Sequence, residues 1–157
     1  MSPDADADRR ITGDVEVTRL LDAPREVVWG AWTTPRLFAR WFFTPPFSTP
    51  ESTVHMDVRP GGRWGATQVS ETDDVELPFL GSYREVEPPE RLVFTFEDPA
   101  DRADPNVEVV TVTLLERGAQ TQMTLHQVGH LPAEQYGMMR EGYSRFFDNL
   151  AELLADG

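Results

Sequence analysis

LPAEQYGMMREGYSRFFDNLAELL, residues Leu131–Leu154, decides the fold. Met139, Tyr143, Phe146, Leu150 and Leu153 recur at alternating steps of four and three, which puts an apolar stripe along one side of a helix. Tyr136, Phe147 and Leu154 widen the stripe. At about 1.5 Å per residue such a helix is roughly 35 Å long, the width of a small domain. An apolar stripe of that length needs a large surface to cover it, and the chain before it reads mostly as strand.

Outward from the helix, Val107–Leu115 and Thr121–Val128 form a hairpin that turns at Arg117-Gly118-Ala119. Arg91–Glu97 places Leu92, Phe94 and Phe96 on one face, and Pro88-Pro89 ends the strand before it, Leu77–Val86, because neither proline can donate to a ladder. Arg63–Ser70 and Thr53–Val58 are joined by Pro60-Gly61-Gly62, where proline presets φ and glycine permits positive φ. Asp98–Asn106, rich in Asp and Pro, is a loop and a candidate rim for a cavity. Asp14–Leu21 alternates as a first strand. Asp22-Ala23-Pro24 then opens one short helix, with Asp as a cap and Pro in the first turn, and Pro35 opens a second over RLFARWFF, residues 36–43. Short spacings argue for antiparallel pairing. The expected architecture is α+β: a curved antiparallel sheet of about six to seven strands around a long C-terminal helix, with two short helices after the first strand. Residues 1–11 read as a disordered tail and 12–157 as a single domain.

The totals narrow the function. The 157 residues carry 14 basic and 27 acidic side chains, a formal net charge of −13. An acidic surface repels phosphate backbones, which sets nucleic acid aside as a partner. With no cysteine there is no disulfide framework and no thiolate chemistry. No apolar run reaches the roughly 18 residues of a membrane span. The first ten residues lack the basic start and apolar core of a secretory signal, so a cytoplasmic location is expected.

Four segments together resemble the activator-of-heat-shock-ATPase homologue family, within the START-like (SRPBCC) helix-grip superfamily: VHMDVRPGGRW (Val54–Trp64), RLFARWFF, GSYREVEPPERLVFTF (Gly81–Phe96) and EGYSRFFDNLAELL. The resemblance spans about Thr12 to Leu154. It implies a sheet gripping the C-terminal helix with a cavity between them. Where members of the family commonly carry Gly-Trp in the last helix, this chain has Gly142-Tyr143, which implies a more polar cavity and close approach to the helix backbone at the glycine. Nothing in residues 1–11 matches the extra domain by which the eukaryotic activator binds its chaperone, so chaperone contact is not expected to be the activity.

Candidate site residues follow from the fold that the resemblance implies. Trp41, Trp64 and Tyr143 fall in segments that face the cavity and are the leading ligand contacts; Phe43, Phe94 and Phe147 are further candidates for an apolar wall. Tyr83 and His126 are the candidate polar groups, with Gln68 as a companion. His126 and His130 straddle a strand end, and no HExxH pattern or cysteine accompanies them, so no metal, cofactor or catalytic set is expected. Glu85, Glu87 and Glu108 read as solvated strand carboxylates, and Arg59 and Arg63, flanking the Pro-Gly-Gly turn, as surface charges. The expected function is to bind a small apolar or amphipathic ligand, as a monomer or homodimer. An enzyme of the polyketide cyclase or hydrolase type using His126, Tyr83 and Tyr143 is the alternative, and a chaperone-associated or stress-response protein a further one.

Overall fold

Alternation of inward apolar and outward polar residues builds the sheet. The computed structural model describes residues 13–101, 104 and 107–156. In chain order it contains β1 (Gly13–Leu21), α1 (Arg25–Thr33), α2 (Pro35–Phe38), β2 (Phe47–Ser48), a 3-10 turn at Glu51–Thr53, β3 (His55–Met56), β4 (Arg63–Ser70), β5 (Glu76–Glu87), β6 (Arg91–Phe96), β7 (Glu108–Arg117), β8 (Gln120–Gly129) and α3 (Ala133–Asp156). The strands pair antiparallel in the order β1-β8-β7-β6-β5-β4-β2, with β3 also on β4. The expected tail 1–11 and part of the Asp-rich loop lie outside the described residues.

The helix-grip architecture matches the expectation; local details differ, each for a physical reason. The second short helix stops after one turn instead of running to Phe43. Beyond Phe38 the bonding tightens, with Arg40 N–H donating to Leu37 O at 3.0 Å and Trp41 N–H to Phe38 O at 3.2 Å. That tightening buries two consecutive rings, Trp41 and Phe42. The strand expected over Thr53–Val58 is only two residues long, because the 3-10 turn takes up Thr53. At α1 the capping position is Pro24, not Asp22, and no side chain bonds there.

The turn at Pro60-Gly61-Gly62 is as expected. Gly61 sits at φ +84°, and a Cβ on Gly62 would fall 1.9 Å from Asp57 O. The backbones of Gly61 and Gly62 bond that of Tyr83 at 2.8 and 2.9 Å, locking the turn onto β5.

Helix α3 lies against β1. Arg19 Nη1 donates to Asp148 Oδ1 at 2.9 Å, and Arg140 Nη1 to Glu16 O at 2.6 Å. Asn149 Nδ2 ties the helix to the loop after α2 through Phe43 O at 2.9 Å. The stripe is rotated from the one read in the sequence. Tyr136, Tyr143, Phe147 and Leu150 are the buried positions, while Met139 and Phe146 are half-buried. The reason is that the helix faces two different things: one row packs on the core, and the next row, Met139, Gly142 and Phe146, faces empty space.

Candidate functional site

That empty space is a cavity of about 370 Å³ between α3 and the β5–β8 part of the sheet. It lies at the small end of the range typical of ligand pockets. Its apolar wall comes from Phe42, Phe79, Phe96, Leu131, Met139, Gly142 and Phe146, with Pro78 and Pro99 exposed at the edge. Pro99 belongs to the Asp-rich loop, which therefore contributes to the rim. Its polar groups are Glu97, Glu108, Gln127 and Tyr143.

Strand parity delivers two of these polar groups. On β7, Glu108 shares its phase with Val110, Val112 and Leu114; on β8, Gln127 shares its phase with Thr121, Met123 and Leu125. All are buried, with Glu108 only 6% exposed. A carboxylate at such a depth needs hydrogen-bond donors around it, and they are present. Glu108 Oε1 accepts from Gln127 Nε2 at 2.9 Å and from the Tyr136 hydroxyl at 2.8 Å. Its Oε2 accepts from the backbone N–H of His130 at 3.0 Å and lies 3.2 Å from His130 Nδ1. The Tyr143 hydroxyl donates to Gln127 Oε1. Room for the carboxylate depends on Gly129, where a Cβ would meet Glu108 Oε2 at 1.8 Å. The reading of Glu108 as a solvated strand carboxylate is thus corrected: its even-numbered phase matches the valines, and that phase was the available signal. Gln127 was missed for the same reason.

Among the sequence candidates, Tyr143 alone lines this cavity. Trp64, Tyr83 and Phe94 line a second recess of about 10 Å³. By this measure roughly 10–15 Å³ holds one water, so the recess is in effect packed. Trp41 and Phe147 are sealed in the core, where Trp41 meets Trp32 at 4.7 Å and Phe38 at 5.0 Å between ring centroids. The space around Trp41 is therefore filled by neighbouring rings, and Trp41 and Trp64 do not join Tyr143 at one cavity. Phe43 is half-buried and lines neither space. Gln68 is buried but donates to Phe42 O at 3.3 Å instead of reaching the cavity. His126 is corrected outright: it has the opposite phase to Gln127, points to the outer face, and its Nε2 lies 2.9 Å from Asp14 Oδ2. Arg63, 46% exposed at its side chain, donates to Glu97 Oε1 at 2.9 Å, and Arg59 pairs with Asp57 at 2.8 Å. Among the described residues no group of three His, Asp or Glu side chains is placed to hold a metal ion, and no helix is long and apolar enough to cross a membrane.

Burial, helped by the Glu108 charge, holds the Tyr143 phenol well above the usual tyrosine range. Burial pushes Tyr136 up to about 12, the bond to Glu108 adding to the rise and its contact with Leu131 opposing it. Tyr83 is also raised, by burial and then by Asp57. Each phenol therefore keeps its proton in the folded state at a pH where the unfolded chain loses it. Above about pH 10 the unfolded state binds fewer protons than the native one, so stability falls as pH rises. We expect guanidinium unfolding midpoints to hold steady between pH 7 and 9 and to drop between pH 10 and 12, tracked beside tyrosinate absorbance; a flat midpoint to pH 12 contradicts these environments.

The chemistry available is recognition more than reaction. The Glu108 oxygens are engaged by several donors, and Tyr143 gives its proton to Gln127, which leaves its oxygen lone pairs as an acceptor at the cavity wall.

Comparison with known proteins agrees with this architecture. The family model described as "Activator of Hsp90 ATPase homolog 1-like protein" matches residues 22–155. Among solved structures, protein CV1439 from Chromobacterium violaceum is 25% identical and has a TM-score of 0.75, covering 91% of this chain and 98% of that one. Protein NE0264 from Nitrosomonas europaea is 26% identical with a TM-score of 0.75, covering 91% and 94%. An AHSA1-like protein from Aeromonas hydrophila, 20% identical, shares the fold with a TM-score of 0.73 over 90% of this chain and 93% of that one. No curated protein matches the chain.

Proposed function

Since the chain belongs to the activator of Hsp90 ATPase homolog 1-like family, we propose that it is a START-like domain that binds one small amphipathic molecule between sheet and C-terminal helix. The observation that carries this reading is the cavity of about 370 Å³, walled by aromatic side chains and ending in the Glu108–Gln127–Tyr143 network. An apolar body is favoured by removal of its surface from water, at about 25 cal/mol per Å² buried. The network provides one polar end, which fixes orientation.

The convergence of Glu108, Gln127 and Tyr143 also favours a second reading, an enzyme of the polyketide cyclase or hydrolase type. The mutual engagement of those groups argues for binding over proton transfer, because a general base needs a lone pair free to accept the substrate's proton.

The test is native mass spectrometry of the protein purified from its own cells, followed by organic extraction, with Gly142→Leu as the blocked control. A Cβ at Gly142 meets nothing within 4 Å, and the residue lines the cavity. Leucine there grows into open space and removes a helical glycine, so stability is expected to stay level or rise by up to about 1 kcal/mol. A stoichiometric small molecule on the wild type that is lost in Gly142→Leu is the expected result. Retention of the same molecule by Gly142→Leu puts the ligand elsewhere and overturns the reading.

A further inference from the structure

The lining of the cavity has a sign. Two carboxylates, Glu97 and Glu108, face it, and among the described residues neither Lys nor Arg lines it. Both acids are largely out of water, with side chains 10% and 8% exposed. Arg63 reaches Glu97 from the more exposed side, and His130 is the basic side chain beside Glu108. Five aromatic rings, those of Phe42, Phe79, Phe96, Tyr143 and Phe146, complete the wall.

We propose that the occupant of this cavity is a cationic amphipath, an apolar body carrying a protonated amine, and that Glu108 and the aromatic rings select it over an anionic one. This rests on the reading that the cavity binds a small molecule, and it adds the charge of the head group.

Four physical effects point the same way. An anionic head at the polar end would sit beside Glu108 in a medium of low effective dielectric, where like charges repel far more strongly than in water. A carboxylic acid ligand, otherwise a natural match for an apolar cavity with a polar end, is disfavoured on that ground. A cationic head reverses the sign of the term and places a counter-charge beside Glu108. The electron-rich faces of Phe and Tyr rings attract ammonium groups, most strongly where water is excluded. Acceptors are in place as well: Tyr143 donates its proton to Gln127, so its oxygen is oriented to accept from an N–H. The formal net charge of −13 acts in the same direction at long range.

The test is isothermal titration calorimetry at pH 7 with four compounds that share one body and differ in head group: 4-phenylbutylamine, 4-phenylbutan-1-ol, 4-phenylbutanoate and butylbenzene. We expect the amine to bind at least about tenfold more tightly than the carboxylate, with the alcohol between them. A carboxylate that binds as well as the amine, or all four binding alike, overturns the head-group assignment while leaving the apolar cavity standing. Binding by none of the four overturns the small-molecule reading itself, and the head-group assignment with it. The wild-type series decides the sign without a variant. Glu108→Gln, used once circular dichroism establishes a native fold, decides the residue: the amine-to-carboxylate ratio is expected to fall severalfold, and an unchanged ratio takes the selection away from Glu108.

Discussion

Trp41→Ala is expected to lower the unfolding free energy by about 3–5 kcal/mol. The side chain is fully buried, and four rings surround it: Trp32 at 4.7 Å, Phe38 at 5.0 Å, Phe42 at 6.1 Å and Phe147 at 6.2 Å. Truncation opens a cavity that rings held by three separate elements cannot collapse to fill. It also removes a hydrogen bond. Trp41 Nε1 donates to Ala31 O at 2.9 Å, a carbonyl near the end of α1. Losing that donor leaves a buried acceptor unpaired. The consequence reaches the candidate site, because Phe42, the next residue, forms part of the cavity wall. Equilibrium guanidinium unfolding followed by far-ultraviolet circular dichroism measures the loss. A cost under about 1 kcal/mol would mean that Trp41 is not the keystone of this cluster.

Glu108→Leu is expected to cost about 3 kcal/mol or more, although leucine is nearly the same size and more apolar. The loss falls on the partners. Gln127 Nε2, the Tyr136 hydroxyl and the His130 backbone N–H each lose their acceptor on Glu108, at about 1–3 kcal/mol for each buried donor left unpaired. Glu108→Gln keeps one acceptor oxygen and is expected to cost less than half as much. Thermal unfolding of the two variants side by side separates these cases. If Glu108→Leu proves as stable as the wild type, the network contributes nothing net to folding and the carboxylate is retained for some other reason, as replacement of buried charge by apolar groups sometimes permits. Coupling between the network and the cavity is then open to measurement with the amine series.

Alternation and helical period carried most of the architecture. The Leu131–Leu154 stripe specified a long amphipathic helix, and α3 runs Ala133–Asp156. Turn chemistry at Pro60-Gly61-Gly62 and Arg117-Gly118-Ala119 placed the strand reversals, with positive φ at Gly61 and Gly118. Those features are local: a backbone conformation or a side-chain period is a property of a few consecutive residues, so it is legible in one dimension. The antiparallel run from β4 to β8 is legible in the same way, since short connections leave few other pairings, whereas the pairing of β1 with β8 joins opposite ends of the chain.

Part of the site was equally local and still missed. Glu108 in phase with Val110, Val112 and Leu114 is an acid on a buried strand face, readable from parity once the inward face is fixed by those valines. His126 in phase with Thr124 and Val128 is outward by the same rule. What parity could not supply is the other end of each contact. Glu108 meets Tyr136 twenty-eight positions later, and Gln127 meets Tyr143 sixteen positions later, across the gap between sheet and helix. Whether an aromatic residue fills space or borders it was likewise undecidable from the chain. Trp41 and Phe42 are adjacent, yet one is sealed in the core and the other lines the cavity. The amino-acid sequence by itself determined the elements, their order and the acidic, cysteine-free character of the protein. Only the tertiary structure decided where the cavity lies and which side chains reach it, because a void is set by the mutual positions of a helix and a curved sheet.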